Sequence, residues 1–129
     1  MNNCFGNHRG FTLLEIIAVL VILSILAAIA VPKYVSLDES ARQRGIDAGI
    51  AELNGRETLT WSNEKISVSG WISDVKTFGR IDPFLGNEYT WDSGDPFDED
   101  GGALTFKDSA PVTLNRVHST NEKPGEWSR

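Results

Sequence analysis

The 21 residues from Phe11 to Val31 constrain this chain more than any other stretch, because Thr12, Glu15 and Ser24 carry their only polar side chains. With a rise of about 1.5 Å per residue, the run forms a helix roughly as long as a bilayer hydrocarbon core is thick, about 30 Å. It has the length to cross a membrane once. Glu15 opposes insertion, since a carboxylate inside such a run costs on the order of 3 kcal/mol and is kept where it gains a partner. A cut after Gly10 supplies one close by: the new amino group on Phe11, four residues from Glu15, is cationic near neutral pH.

These residues carry a family resemblance. Gly10-Phe11-Thr12-Leu13-Leu14-Glu15, the short polar leader ending at Gly10, and Pro32 just after the apolar run together resemble the class III signal of type IV pilins and type II secretion pseudopilins. The resemblance implies that a membrane-embedded prepilin peptidase cuts after Gly10 on the cytoplasmic side and methylates Phe11. It makes Glu15 the fifth residue of the mature chain, set to meet the Phe11 amine of an adjacent subunit and fix register. It also implies a homo-oligomeric helical filament, an inner-membrane assembly platform and contact with membrane lipid as partners. The motif occupies only residues 10–32 and leaves the rest of the chain to be read from its own pattern.

The 129 residues hold one small domain plus an anchor. The formal charge is −6 and includes Arg9, so loss of the leader makes the chain more acidic still. No nucleic acid partner is expected of such a field. Arg42, Arg44 and Arg56 fall on one expected helix, but Asp38, Glu39, Asp47, Glu52 and Glu57 interleave with them. That pattern reads as a solvated mixed-charge face. The one cysteine, Cys4, lies in the leader, so the processed chain has no disulfide to form. Many type IV pilins close a C-terminal loop with a disulfide, and this departure leans toward the pseudopilin branch.

An ordinary secretory signal is the competing reading of the N-terminus. Ile16 to Leu26 has the length of an h-region, and Ala28-Ile29-Ala30 is an A-x-A box that directs a cut near Ala30, before Val31. Glu15 counts against it, being a residue such an h-region does not need. His8 and Arg9, with no acidic residue before them, keep the N-terminus cytoplasmic and send the C-terminal part across the inner membrane. The resemblance then implies, as the destination, a filament in the periplasm or at the cell surface.

Pro32 lacks a backbone donor, so it either bends a continuing helix or ends the membrane segment. Beyond it, Ile46, Ile50 and Leu53 follow i, i+4, i+7 and mark a helix with one buried side. Gly45, Gly49 and Gly55 weaken it, and it is expected to fade between Leu53 and Trp61. Gly45-x-x-x-Gly49 allows a close approach to a neighbouring helix. The expected organisation is a leader over 1–10, an assembly helix over 11–31, an amphipathic continuation over 32–60 and a head over 61–129.

The fold class expected is α+β: a long N-terminal helix, membrane-spanning then amphipathic, packed on a small C-terminal antiparallel sheet. Ile66 to Val68 and Trp71 to Val75 alternate as short strands do, although Trp71 to Thr77 also fits a short helix. Further strands are expected at Glu88 to Trp91, Ala103 to Lys107 and Val112 to His118, with a polar, mobile tail anchored by Trp127. Trp61, Trp71, Trp91, Phe84, Phe97 and Phe106 supply a core without staples.

Asp82-Pro83-Phe84-Leu85-Gly86-Asn87-Glu88-Tyr89 resembles the Asp-Pro-aromatic-Gly turn of major pseudopilins, whose loop binds calcium. An acidic segment follows, with Asp92, Asp95, Asp98 and Asp100 as candidate ligands, since calcium takes six to eight oxygens from a flexible loop. A solvated acidic loop explains the same residues, and EF-hand spacing is absent. No catalytic arrangement is present: His118 is the only histidine after the leader, and it reads as a strand residue. The chain is therefore expected to be a structural subunit rather than an enzyme. The reading from a different class is a single-pass or secreted acidic binding module.

Overall fold

The computed structural model describes residues 10–92 and 97–129. The leader residues Cys4, His8 and Arg9 lie outside that range. The chain divides into one unit up to Asp38 and a second from Glu39 to Arg129, and helix α1 (Leu13–Ile66) contributes to both.

In the first unit every residue of α1 is exposed, and an 18-residue window there reaches a mean hydropathy of 3.0. By length and composition it can cross a membrane. Its hydroxyls are turned inward on the helix: Ser24 donates to the Val21 carbonyl at 2.7 Å and Ser36 to that of Lys33 at 2.9 Å. Such back-bonding satisfies a hydroxyl that has only lipid or apolar protein around it. Pro32 lies within α1 and does not end it.

In the second unit α1 buries Ile46, Gly49, Leu53, Glu57 and Glu64, a stripe spaced by three, four and seven residues. A four-stranded antiparallel sheet covers that stripe. Its strands β1 (Tyr89–Trp91), β2 (Gly101–Phe106), β3 (Val112–Val117) and β4 (Glu126–Ser128) pair in sequence order. Leu114 and Arg116 on β3 point into the core while Thr113 and Asn115 face out, the period-two pattern of a sheet with one covered face. Ile46, Leu53, Leu104, Leu114 and Trp127 form the core. Phe97 ties it together, stacking on Phe78 at 4.7 Å and on Trp127 at 5.4 Å, with its edge toward Trp91 at 5.0 Å. The architecture is α+β, as the sequence pattern indicates.

Several local expectations change. Helix α1 runs past Leu53 and Trp61 to Ile66, because tertiary contacts outweigh the propensity of Gly55. Trp61 Nε1 donates to the Thr120 carbonyl at 2.7 Å and Lys65 Nζ to that of Asn121 at 2.8 Å, so the C-terminal segment holds the last turns. Residues Ile66 to Val68 and Trp71 to Val75 are not strands. The chain turns at Gly70 with φ +65°, and Ser73 caps the short helix α2 (Asp74–Phe78) by accepting from Lys76 N. The tail is ordered through β4, where Trp127 is buried.

Gly45 and Gly49 serve the sheet rather than a second helix. A methyl group at Gly45 would strike the Phe106 ring, and one at Gly49 would come within 3.0 Å of Tyr89. The Tyr89 hydroxyl donates to the Gly45 carbonyl at 2.8 Å. Phe84, expected in the core, is 60% exposed.

Candidate functional site

Helix α1 starts with a reciprocal cap built from two of the residues singled out in the sequence. Thr12 donates to Glu15 Oε2 twice, from its backbone N at 2.7 Å and its hydroxyl at 3.0 Å. In return the Glu15 amide donates to Thr12 Oγ1 at 3.2 Å. This is a capping box, in which side chains satisfy the donors that a helix start leaves open. The carboxylate also faces the positive end of the helix dipole. Its signal, Thr-x-x-Glu ahead of an apolar run, is present in the sequence at positions 12 and 15, where the charge of Glu15 alone suggests a partner outside the helix.

Gly10 and Phe11 stand immediately before this cap, Phe11 being 84% exposed. Nothing lies within 4 Å of the position a Cβ on Gly10 would take. The peptide between them therefore lies outside the helix, in accessible backbone, while Glu15 is held one turn inside. Pro32 is seventeen residues beyond Glu15 on the same helix, about 25 Å along its axis.

Three of the four candidate calcium ligands, Asp92, Asp98 and Asp100, fall among the described residues. Asp98 pairs with Gly101 through both backbone groups, at 2.8 and 3.1 Å. Asp100 Oδ1 lies 2.7 Å from His118 Nε2, and the Asp92 amide bonds the Ala103 carbonyl at 2.9 Å. Asp95 lies outside the described residues. Among the described residues no group of three or more His, Cys, Asp or Glu side chains converges to hold a metal.

The sequence reading missed the polar centre of the head. Glu57, read as part of a solvated face, is fully buried, and both its oxygens accept from Arg116. Arg116 also donates to Asp74 at 2.6 and 2.8 Å. Ser119 adds bonds to Asp74 from its amide at 2.6 Å and its hydroxyl at 2.7 Å. Burial acts to raise the Asp74 carboxyl, but the bonds from Arg116 and Ser119 outweigh it and hold it at about 2. Burial acts to lower Arg116, but its bonds and charge pairing with Asp74 and Glu57 outweigh that and raise it. Glu57 and Glu64 lie four and eleven residues beyond Leu53, on the buried stripe of α1. That register was the available signal.

Comparison with known proteins agrees with the helix start. Residues 6–31 match the family model of the prokaryotic N-terminal methylation motif. The type IV narrow pilus major component PilA5 of Thermus thermophilus is 51% identical over 87 residues, which is 67% of this chain and 72% of that protein. No solved structure matches the chain. The similarity extends well beyond the anchor, and the chain belongs to the type IV pilins, a family of structural proteins and not of enzymes.

Proposed function

We propose that this chain is a pilus filament subunit, held in the inner membrane as a single-pass precursor with its N-terminus in the cytoplasm. A prepilin peptidase cuts it after Gly10 and methylates the Phe11 amine, and an inner-membrane assembly platform moves it from bilayer to filament. The observation that carries this reading is the start of α1: a capped carboxylate, Glu15, at the head of a fully exposed apolar helix. Such a surface needs lipid or other helices around it. In storage the bilayer covers it; in the filament, neighbouring copies do.

The chemistry of the cut follows from this placement. The capping box keeps Glu15 bonded while the helix is stored, so the carboxylate is not left bare in lipid. Cleavage then creates an ammonium on Phe11 beside the cap. In the assembled state the Glu15 carboxylate of one subunit pairs with the Phe11 amine of the next, because an unpaired buried charge is costly and a paired one sets register. Contacts of this head-to-tail kind are heterologous and build open filaments. The Thermus relative is named as a pilus component, which favours a pilus over a secretion pseudopilus.

The A-x-A box at Ala28 to Ala30 lies inside α1, so the secretory alternative would cut a formed helix. Mass spectrometry of the mature N-terminus tests the reading. A chain starting at methylated Phe11 supports it, and a start at Val31 overturns it in favour of a secreted module.

A further inference from the structure

Phe84 is a large apolar side chain that the head presents to solvent on an unusually well-held turn. It is 60% exposed, yet the backbone carrying it is tied at three successive carbonyls. Arg56 donates to the carbonyls of Asp82 and Phe84, both at 2.8 Å. Trp91 Nε1 donates to that of Pro83 at 2.9 Å, and the Phe84 amide donates to Asp82 Oδ1 at 2.9 Å. Glu52 steadies Arg56 at 2.8 Å. Aromatic side chains on preorganised backbone are the commonest anchors of protein interfaces, because little motion remains to be lost on docking.

The same head carries a hollow suited to such a ring. It measures about 380 Å³ and is lined by Asn54, Thr58, Lys123, Pro124, Gly125 and Glu126. Two of its lining residues are held within the head. The Asn54 side chain bonds both the amide and the carbonyl of Trp127, and Lys123 bonds Thr120 through its carbonyl and its amide. Pro124 and the aliphatic stem of Lys123 offer apolar surface to a ring.

Knob and hollow lie on opposite edges of the head. At about 100° per residue, Asn54 and Thr58 are about 40° apart on one flank of α1, and Arg56 is about 160° from each. The sheet agrees, because Trp91 on edge strand β1 holds the Phe84 turn while Asn54 pairs with edge strand β4. The two therefore cannot meet within one head. Only separate copies can bring them together, edge to edge, and because each head then keeps its other edge free, such a contact is heterologous. Each site has one cation and one anion beside it, Arg56 and Asp82 at the ring and Lys123 and Glu126 at the hollow, so a second copy brings no excess of like charge to either.

We infer that Phe84 of one subunit docks in the hollow formed by Thr58, Pro124 and their neighbours on the next, as a lateral head-to-head contact of the filament. The inference rests on the filament reading above and adds to it a contact outside the N-terminal helix.

Disulfide trapping in the full-length chain tests it. In a Cys4→Ser background, Phe84→Cys combined with Thr58→Cys is expressed in cells that form filaments, and sheared filaments are briefly oxidised. The expected result is a ladder of covalent multimers, about ten-fold above either single cysteine variant, and a similar loss of filament yield in Phe84→Ala. Since Phe84 is exposed, the alanine variant keeps its membrane pool and its melting temperature. Abundant filaments whose doubly substituted subunits stay monomeric overturn the inference and leave the filament reading intact. So does trapping of the Phe84→Cys thiol on a different protein. A native chain that forms no filaments overturns the filament reading itself, and the inference with it.

Discussion

Arg116 on β3 and Glu57 on α1 form a bidentate pair, Nε to Oε2 at 3.0 Å and NH2 to Oε1 at 2.7 Å, with neither side chain open to water. The remaining guanidinium donors go to Asp74 on α2 and to the Glu99 carbonyl. The Phe78 ring lies 5.0 Å and the Trp127 ring 6.0 Å from the guanidinium carbon. One cation thus joins α1, α2, β3 and the segment before β2, in a chain with no cysteine after residue 4. Where many small domains use a covalent staple, this head has a buried ion cluster.

Removing the cation should therefore be severe. Arg116→Ala strands two carboxylates, one fully buried, and breaking such a pair costs about 3–5 kcal/mol. Thermal melting of the full-length chain in detergent should show the head transition falling sharply or vanishing. Arg116→Lys should rescue little, since a single ammonium cannot supply the planar fork that reaches Glu57 and Asp74 together. A melting temperature within a degree or two of the native value in either variant would contradict this account.

Acid should open the same cluster, in a defined window. The carboxyl of Asp74 is depressed to about 2 in the folded head, against about 3.9 in an unfolded chain. Its contribution is fully present above about pH 4 and is lost as pH falls toward 2, where the folded state too becomes protonated. Melting temperature should thus change little through this group from pH 7 to 4 and drop below pH 4. Asp74→Asn should be less stable at pH 7 and show a shallower acid limb. An unchanged acid limb would show that other carboxylates govern it.

The N-terminal feature was legible because its chemistry is local: a glycine, the start of an apolar run and a glutamate stand within six residues of each other. β1, β2 and β3 were legible for a similar reason, since alternation and turn residues are short-range signals. The head's polar centre was not, because Glu57 and Arg116 are 59 residues apart in sequence and a charged residue on a helix reads as solvated until its partner is placed. The end of α1 failed on the same ground. Gly55 argues locally for a stop, while Trp61 and Lys65 are held by Thr120 and Asn121.

Asn54 gives a separate test of how the C-terminal segment is held. Its side-chain amide accepts from Trp127 N at 2.7 Å and donates to Trp127 O at 3.1 Å, as a neighbouring strand would. The free edge of β4 is thereby covered by a helix side chain, which also blunts it as a template for stray strand pairing. Asn54→Ala leaves both backbone groups without these bonds and should cost about 1–3 kcal/mol. Hydrogen exchange at the Trp127 amide should accelerate more than exchange at Leu114. Equal protection in the variant would mean that β3 pairing alone holds β4.

Glu15 carries two roles that substitution can separate. It caps α1 through Thr12, and in the proposed filament it pairs with a neighbour's amine. Glu15→Gln keeps the cap, since glutamine serves at this place in a capping box, but it removes the charge. Glu15→Ala removes both, and loss of a cap costs only about 1 kcal/mol, too little to release a fully apolar helix from a bilayer. Both variants should yield a mature chain starting at Phe11 and a native membrane pool, and both should fail to assemble. Filaments from Glu15→Gln but not Glu15→Ala would assign the role to the cap instead of the charge, and normal filaments from Glu15→Ala would remove Glu15 from assembly altogether.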